Sequence, residues 1–249
     1  MSYMAIHGWQ SRFNNIRREF GYSKSRDLHS AKILNSLLRK KLNLKILEEI
    51  IYKKTVFIIG AGPSLTKSLQ YVKKCKNVTI IVADGAVQGL LKVNIEPDIL
   101  VTDLDGDLDS IKKIGKLKIP IIILAHGDNY QKLAVVKEFN NVIGTTQTEK
   151  FGKLENFGGF TDGDRCVFLA EFFNAKKIVL VGMDFGTKIG KYSKSRVINK
   201  KIKLKKLKIG KEILEWFSSK SKAELYSTNE INGFKKIRNS DLIIFNTNS

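Results

Sequence analysis

The residues of this chain that could do chemistry are mostly aspartates, and they are gathered. Asp98, Asp103, Asp105, Asp107 and Asp109 fall within Pro97-Asp-Ile-Leu-Val-Thr-Asp-Leu-Asp-Gly-Asp-Leu-Asp109. Carboxylates at i and i+2 leaving a strand point to one side, so Asp103 and Asp105 are expected to act together. Two hard oxygen ligands so placed can share Mg²⁺ and leave its other positions to phosphate oxygens. The stretch is not an EF-hand loop. Its glycine, Gly106, comes too early, and Ile114 occupies the place of the bidentate glutamate. Asp107 and Asp109 can instead cap a helix beginning near Leu108.

Further candidates stand apart in sequence. Asp84, in Val82-Ala-Asp-Gly-Ala86, can cap the helix that follows or join a metal site, and the two roles can coexist. His126 and Asp128 share a glycine-containing turn. In Thr161-Asp-Gly-Asp164, Asp164 reads as the cap of a helix over Cys166–Phe173, and Asp162 is freer. Thr145 and Asp184 each follow an apolar run.

A phosphate site is the natural complement. Gly60-Ala61-Gly62-Pro63-Ser64-Leu65 follows a strand-like run and opens a helix-like one. Glycines let a backbone approach a ligand closely, and a helix N-terminus presents N–H groups to an anion. The third glycine of a dinucleotide fingerprint is replaced by Leu65, and no Gly-Lys-Ser/Thr of a P-loop follows. Gly60, Ala61, Gly62 and Ser64 are therefore expected to touch phosphates without either standard motif. Lys188, Lys191, Lys194 and Arg196 are the best supply of phosphate-binding cations.

The charge balance agrees. The chain has 249 residues, 44 Lys+Arg against 24 Asp+Glu, and a net charge of +20. Residues 84–184 hold 15 acids and 12 bases, net −3, which leaves net +23 for the remainder. An acidic centre in a basic chain suits a cation inside and a polyanion around it. A hydrophobic fraction of 43% excludes a mostly disordered chain. Two cysteines are too few for a disulfide framework or a zinc cluster. No apolar run reaches membrane-spanning length and no signal peptide is recognisable, so a cytoplasmic protein is expected.

The elements that must position these residues follow from periodicity. Residues 1–50 show helical spacing in Trp9, Phe13, Ile16 and Phe20, then in Leu28, Ala31, Leu34 and Leu38. From Thr55, β-branched runs alternate with helix-length segments. The runs are Thr55–Ile59, Val78–Val82, Ile99–Thr102, Pro120–Leu124, Asn141–Gly144 and Lys177–Val181. Helices are expected between them, including one over Asn129–Phe139. This pattern predicts an α/β fold with a doubly wound, mostly parallel, Rossmann-like sheet. Gly60–Ser64, Asp84, Asp103–Asp109, His126–Asn129, Thr145 and Asp184 each follow the end of a run, so a parallel sheet gathers them on one rim. The predicted division is a helical N-terminal segment (1–50), an α/β catalytic core (51–190) and a basic helical C-terminal extension packed on the core (191–249).

Six segments in this order resemble the archaeal 6-hydroxymethyl-7,8-dihydropterin pyrophosphokinase family. They are Gly60-Ala-Gly-Pro-Ser-Leu65, Ala83-Asp-Gly-Ala86, Pro97–Gly106, Ala125-His-Gly-Asp-Asn129, Gly159-Phe-Thr-Asp-Gly-Asp-Arg165 and Leu180-Val-Gly-Met-Asp-Phe-Gly186. The likeness extends to Trp9…Phe20-Gly-Tyr22…Asp27…Ala31 and to Lys206–Trp216. The middle of the chain is also similar to thiamine pyrophosphokinase. Thr102-Asp103-Leu104-Asp105-Gly106 stands in place of that enzyme's Gly-Asp-x-Asp-Ser metal motif, with both aspartates kept.

The resemblance implies transfer of the β,γ-diphosphate of ATP to the alcohol of a pterin, with Mg²⁺ on Asp103 and Asp105, joined by Asp84. It implies that Gly60–Ser64 and the Lys188–Arg196 bases hold phosphate. A pterin offers a 2-amino group and a ring N–H side by side, which one carboxylate can accept. Asp162, Asp164 and Asp184 are open candidates for that contact, with Thr145 near them. His126 or Asp84 is the candidate base, if one is used. On this reading Asp105→Asn abolishes turnover with the fold intact. A homodimer is possible. Two other readings compete. The Gly-x-Gly-Pro-Ser-Leu turn also resembles one in motility-accessory-factor glycosyltransferases, which would use a nucleotide sugar. A lysine-rich helix in a +20 chain could instead bind nucleic acid, although no nucleic-acid motif is present.

Overall fold

The computed structural model describes residues 6–193 and 199–246. Lys194 and Arg196 lie outside the described residues.

The N-terminal part forms three helices, α1 (Trp9–Glu19), α2 (Lys24–Leu37) and α3 (Lys45–Ile51). Trp9, Phe13 and Ile16 are buried on α1 and Ala31 and Leu34 on α2 as the spacing predicts, whereas Leu28 is exposed and Asp27 and Ser30 take buried positions of that helix. Ser23 starts α2 by accepting the Arg26 N–H. The core then alternates: β1 (Thr55–Ile59), α4 (Leu65–Val72), β2 (Thr79–Ala83), α5 (Ala86–Lys92), β3 (Ile99–Thr102), α6 (Leu108–Gly115), β4 (Ile121–Ala125), β5 (Val142–Thr146), α7 (Asp162–Phe172) and β6 (Lys177–Val181). All six expected runs are strands.

Two details differ. The segment expected as a helix over Asn129–Phe139 is a turn followed by 3₁₀ helix over Leu133–Glu138. Asn129 is fully buried and its amide is committed to the turn. It donates to the Leu124 and Asp103 carbonyls and accepts from the His126 N–H. A side chain tied back on three sides cannot start a helix. In addition, β5 runs on to Thr146, since two β-branched threonines suit a buried strand.

The C-terminal part adds α8 (Lys200–Ser218), β7 (Glu224–Ser227) and β8 (Lys235–Lys236). These strands join the same sheet, whose order is β5-β4-β3-β2-β1-β6-β7-β8 with every pairing parallel. The fold is α/β and doubly wound. Successive strand residues feed opposite faces: Val56 and Ile58 pack under α1, α3, α7 and α8, and Phe57 and Ile59 pack under α2, α4, α5 and α6. Each fully buried Ile, Val or Phe is worth about 1.5–3 kcal/mol, which explains strands without polar alternation. Among the described residues no helix is long and apolar enough to cross a membrane.

Neither cysteine is placed to react. Burial pushes the Cys75 thiol up to about 11, and Cys166 is fully buried and also pushed up. A thiolate is the reactive form. Intact-mass spectrometry after iodoacetamide at pH 7 is therefore expected to show an unmodified chain when folded and two adducts in denaturant.

Candidate active site

The strand order runs outward from β1 through β2 to β5, then returns to β6 on the other side of β1. That reversal opens a crevice beyond the carboxyl ends of β1 and β6, the place where open α/β sheets bind ligands. The turns leaving the two strands interlock there. Gly182 has φ +67°, and a Cβ on it would stand 2.5 Å from the Gly60 carbonyl, so only glycine fits. Gly62 donates its N–H to the Gly182 carbonyl (2.8 Å), and Gly60 donates to Val181 (2.9 Å). Asp184 Oδ2 accepts both the Ser64 N–H (3.0 Å) and the Ser64 hydroxyl (2.7 Å).

This changes the expectation for the glycine turn. The N–H groups of Gly60, Gly62 and Ser64 are already donated within the protein, so the turn offers the crevice a close-approach wall rather than a ring of open amides. Asp184 is the strut that holds this wall.

Across the crevice three carboxylates converge. Asp84 follows β2, Asp103 follows β3, and Asp162 is the first residue of α7. One oxygen of each lies within 4.8 Å of the others. Asp84 does not cap α5 with its side chain, and Gly85 takes the cap position. Its backbone is held at φ +28°, and its Oδ1 accepts a hydrogen bond from the buried Thr102 hydroxyl. Asp162 is presented by a capping box in which Thr161 and Asp164 satisfy each other's backbone N–H groups. Like charges this close repel, and hard carboxylate oxygens suit Mg²⁺, so the donor set fits that ion.

Asp105 is not in the group, which corrects the inference from i, i+2 spacing. Leu104 has φ +66°, so the chain leaves the extended form immediately after Asp103. The Asp105 carboxylate meets Lys132 Nζ at 2.6 Å instead. Asp107 caps α6 by accepting the Ser110 N–H and hydroxyl. Asp164 is spent on the α7 cap, with Oδ1 taking the Phe160 and Thr161 N–H groups. Burial raises its carboxyl to about 7, against those N–H groups. Thr145 is buried inside β5 and donates to the Ile123 carbonyl, away from the crevice.

His126 stands beside Asp103, with Nε2 3.5 Å from Asp103 Oδ2. Its Nδ1 accepts the Asp128 N–H at 3.3 Å. Nε2 is buried and makes no hydrogen bond to the described residues.

Gly60, Gly62, Gly182, Asp84, Asp103 and Asp162 all line the crevice. Lys188 lines it as expected, whereas Lys191 lies over the Tyr192 ring at 5.9 Å and does not reach the lining. Sequence reasoning missed Lys203 and Lys206 of α8, which also line it. Their i, i+3 spacing on an amphipathic helix was the available signal.

The family model described as 6-hydroxymethylpterin diphosphokinase MptE-like matches residues 29–190. The chain is also 41% identical over 238 residues to a protein of Methanocaldococcus jannaschii named 6-hydroxymethyl-7,8-dihydropterin pyrophosphokinase, covering 89% of this chain and 99% of that one. It belongs to the MptE-like family. A protein of the same name from Pyrococcus furiosus is 42% identical over 223 residues, covering 87% of this MptE-like chain and 96% of the relative. Among solved structures, a Maf glycosyltransferase from Magnetospirillum magneticum AMB-1 has a TM-score of 0.55 at 12% identity, over 84% of this chain and 38% of the other. That likeness is one of fold alone. The span matched by the MptE-like model carries β1 to β6 and all three clustered aspartates, while Lys203 and Lys206 lie beyond it.

Proposed function

We propose that this chain transfers diphosphate from ATP to 6-hydroxymethyl-7,8-dihydropterin, releasing AMP, in the cytoplasm. The observation that carries the reading is the meeting of Asp84, Asp103 and Asp162 at the crevice of an MptE-like chain. The pterin's CH₂–OH oxygen attacks the β-phosphorus, the bond from that phosphorus to the α,β-bridging oxygen breaks, AMP leaves with that oxygen, and the hydroxyl proton passes to solvent. Such transfer depends on positioning and charge neutralisation. Mg²⁺ on the three aspartates, when bound, neutralises the phosphate oxygens. His126, packed beside Asp103, limits where that carboxylate can lie and is the candidate base if one is used.

The lysines hold the outer phosphates and leave the chemistry alone. Lys188→Ala and Lys203→Ala are each expected to raise the KM for ATP about tenfold, near 1.4 kcal/mol, with kcat within about threefold. Initial rates against ATP concentration check this. An equal fall in kcat with unchanged KM would contradict it.

The test of the proposed reaction is incubation with ATP, Mg²⁺ and the reduced pterin, with nucleotides resolved by anion exchange. AMP is expected only when pterin is present, one for each pterin diphosphate. ADP as the product would overturn the reading. The glycosyltransferase alternative has no support beyond fold, and the acidic crevice does not favour direct binding of nucleic acid phosphates.

A further inference from the structure

A second chamber adjoins the crevice, sharing Asp103, Phe160 and Lys206 with it. The N-terminal helical part closes one side of the chamber with Tyr22, Arg26 and Asp27, and the turns after β3 and β4 close the other. Tyr22 and Phe160 form an aromatic wall, with ring centroids 6.4 Å apart, and Lys206 Nζ stands 5.5 and 5.9 Å from those two rings.

Asp27, on α2, is the unusual group in its lining. It is 3% exposed, yet among the described residues no Lys, Arg or His nitrogen comes within 4 Å of it. A buried carboxylate without a counter-ion must be held by hydrogen bonds. Oδ1 accepts the Gly127 N–H at 2.8 Å, and Oδ2 accepts Gln147 Nε2 at 3.0 Å. Gln147 cannot flip freely, because Arg165 Nη2 donates to its Oε1 at 3.1 Å. Arg165 is itself 6% exposed. A rigid chain of bonds thus fixes the plane of the carboxylate. Each oxygen takes one internal bond and keeps lone-pair capacity for a second.

We propose that Asp27 is the residue that recognises the pterin ring, accepting its 2-amino group and the adjacent ring N–H, one on each oxygen. This rests on the proposed function above. The ring lies against Tyr22 and Phe160, and its hydroxymethyl group reaches toward Asp103, where the two chambers meet. Asp162, Asp164 and Asp184, the sequence candidates for this contact, are occupied with the acidic group, a helix cap and the glycine turn.

The test compares the purified protein with its Asp27→Asn variant, using the pterin and its 2-oxo analogue, which carries a carbonyl in place of the amino group. The unaltered protein is expected to favour the 2-amino pterin over the analogue by about 100-fold in kcat/KM. Asp27→Asn is expected to raise the KM for pterin by about 100-fold, leave the KM for ATP within about twofold, and erase most of the discrimination. A folded variant with an unchanged pterin KM would overturn the proposal. So would equal use of both compounds by the unaltered protein, a result that needs no variant to fold. Absence of any pterin-dependent AMP from the unaltered protein would instead bring down the proposed function and this inference with it.

Discussion

Asp103→Asn and Asp162→Asn are each expected to lower turnover by about 10³-fold, with the melting temperature within a few degrees of the parent. The factor corresponds to about 4 kcal/mol of transition-state stabilisation. It follows from geometry: each residue supplies one of three oxygens that lie within 4.8 Å of one another. Removing one charge leaves two hard ligands and a weaker hold on a divalent ion. Neither residue sits in the apolar core, so the fold has little reason to respond. Asp105→Asn is the internal contrast. Its carboxylate is 25% exposed and paired with Lys132, and an exposed pair of that kind is worth about 0–1 kcal/mol. Its turnover is expected to fall no more than about tenfold. Steady-state AMP formation across a Mg²⁺ titration reads all three. A loss with Asp105→Asn as deep as with Asp162→Asn would restore Asp105 to the metal site.

Gly106→Ala is expected to cut kcat by about 10²-fold while costing little stability. A Cβ at Gly106 would stand 2.6 Å from Asp84 Oδ2 and 2.9 Å from its Cγ. The carboxylate must then move, and the Thr102 hydroxyl that fixes its other oxygen resists the movement. A displacement of this size at one metal ligand is felt in the chemistry. The rest of the fold does not feel it, because the strained contact is with a side-chain end rather than with backbone. The variant should also need a higher Mg²⁺ concentration for half-maximal rate. Kinetics and thermal melting on the same preparation separate the two effects. Unchanged kcat with unchanged Mg²⁺ dependence would show that Asp84 is not a ligand.

The six strands and the rim of polar residues were legible because continuous β-branched runs suit a sheet covered on both faces. Asp103 and Asp84 were legible for the same reason, since each follows a run directly. Asp105 was misread because period-two alternation holds only for extended chain, and the left-handed Leu104 ends the strand one residue too soon. Asp162 was seen as a free carboxylate but not as the third member of the group. Its partners arrive from β2 and β3, and nothing local records that meeting. Asp27 and Lys206 fall in segments that resemble the family, but no site role was legible for them, on similar grounds: each sits on a helix whose packing brings it to the crevice or the chamber, and helical periodicity gives a face but not its neighbour. The glycine turn was placed correctly and its role over-read, because the sequence does not show that Gly182 and Asp184 take up its N–H groups.

The most direct measurement is the fate of the β-phosphorus. The protein would be incubated with ATP labelled at that atom, Mg²⁺ and 6-hydroxymethyl-7,8-dihydropterin, and the products separated. Attack at the β-phosphorus requires all of the transferred label to appear in the pterin product and none in AMP. Label retained in a nucleotide product would contradict diphosphate transfer and the assignment of the crevice built on it.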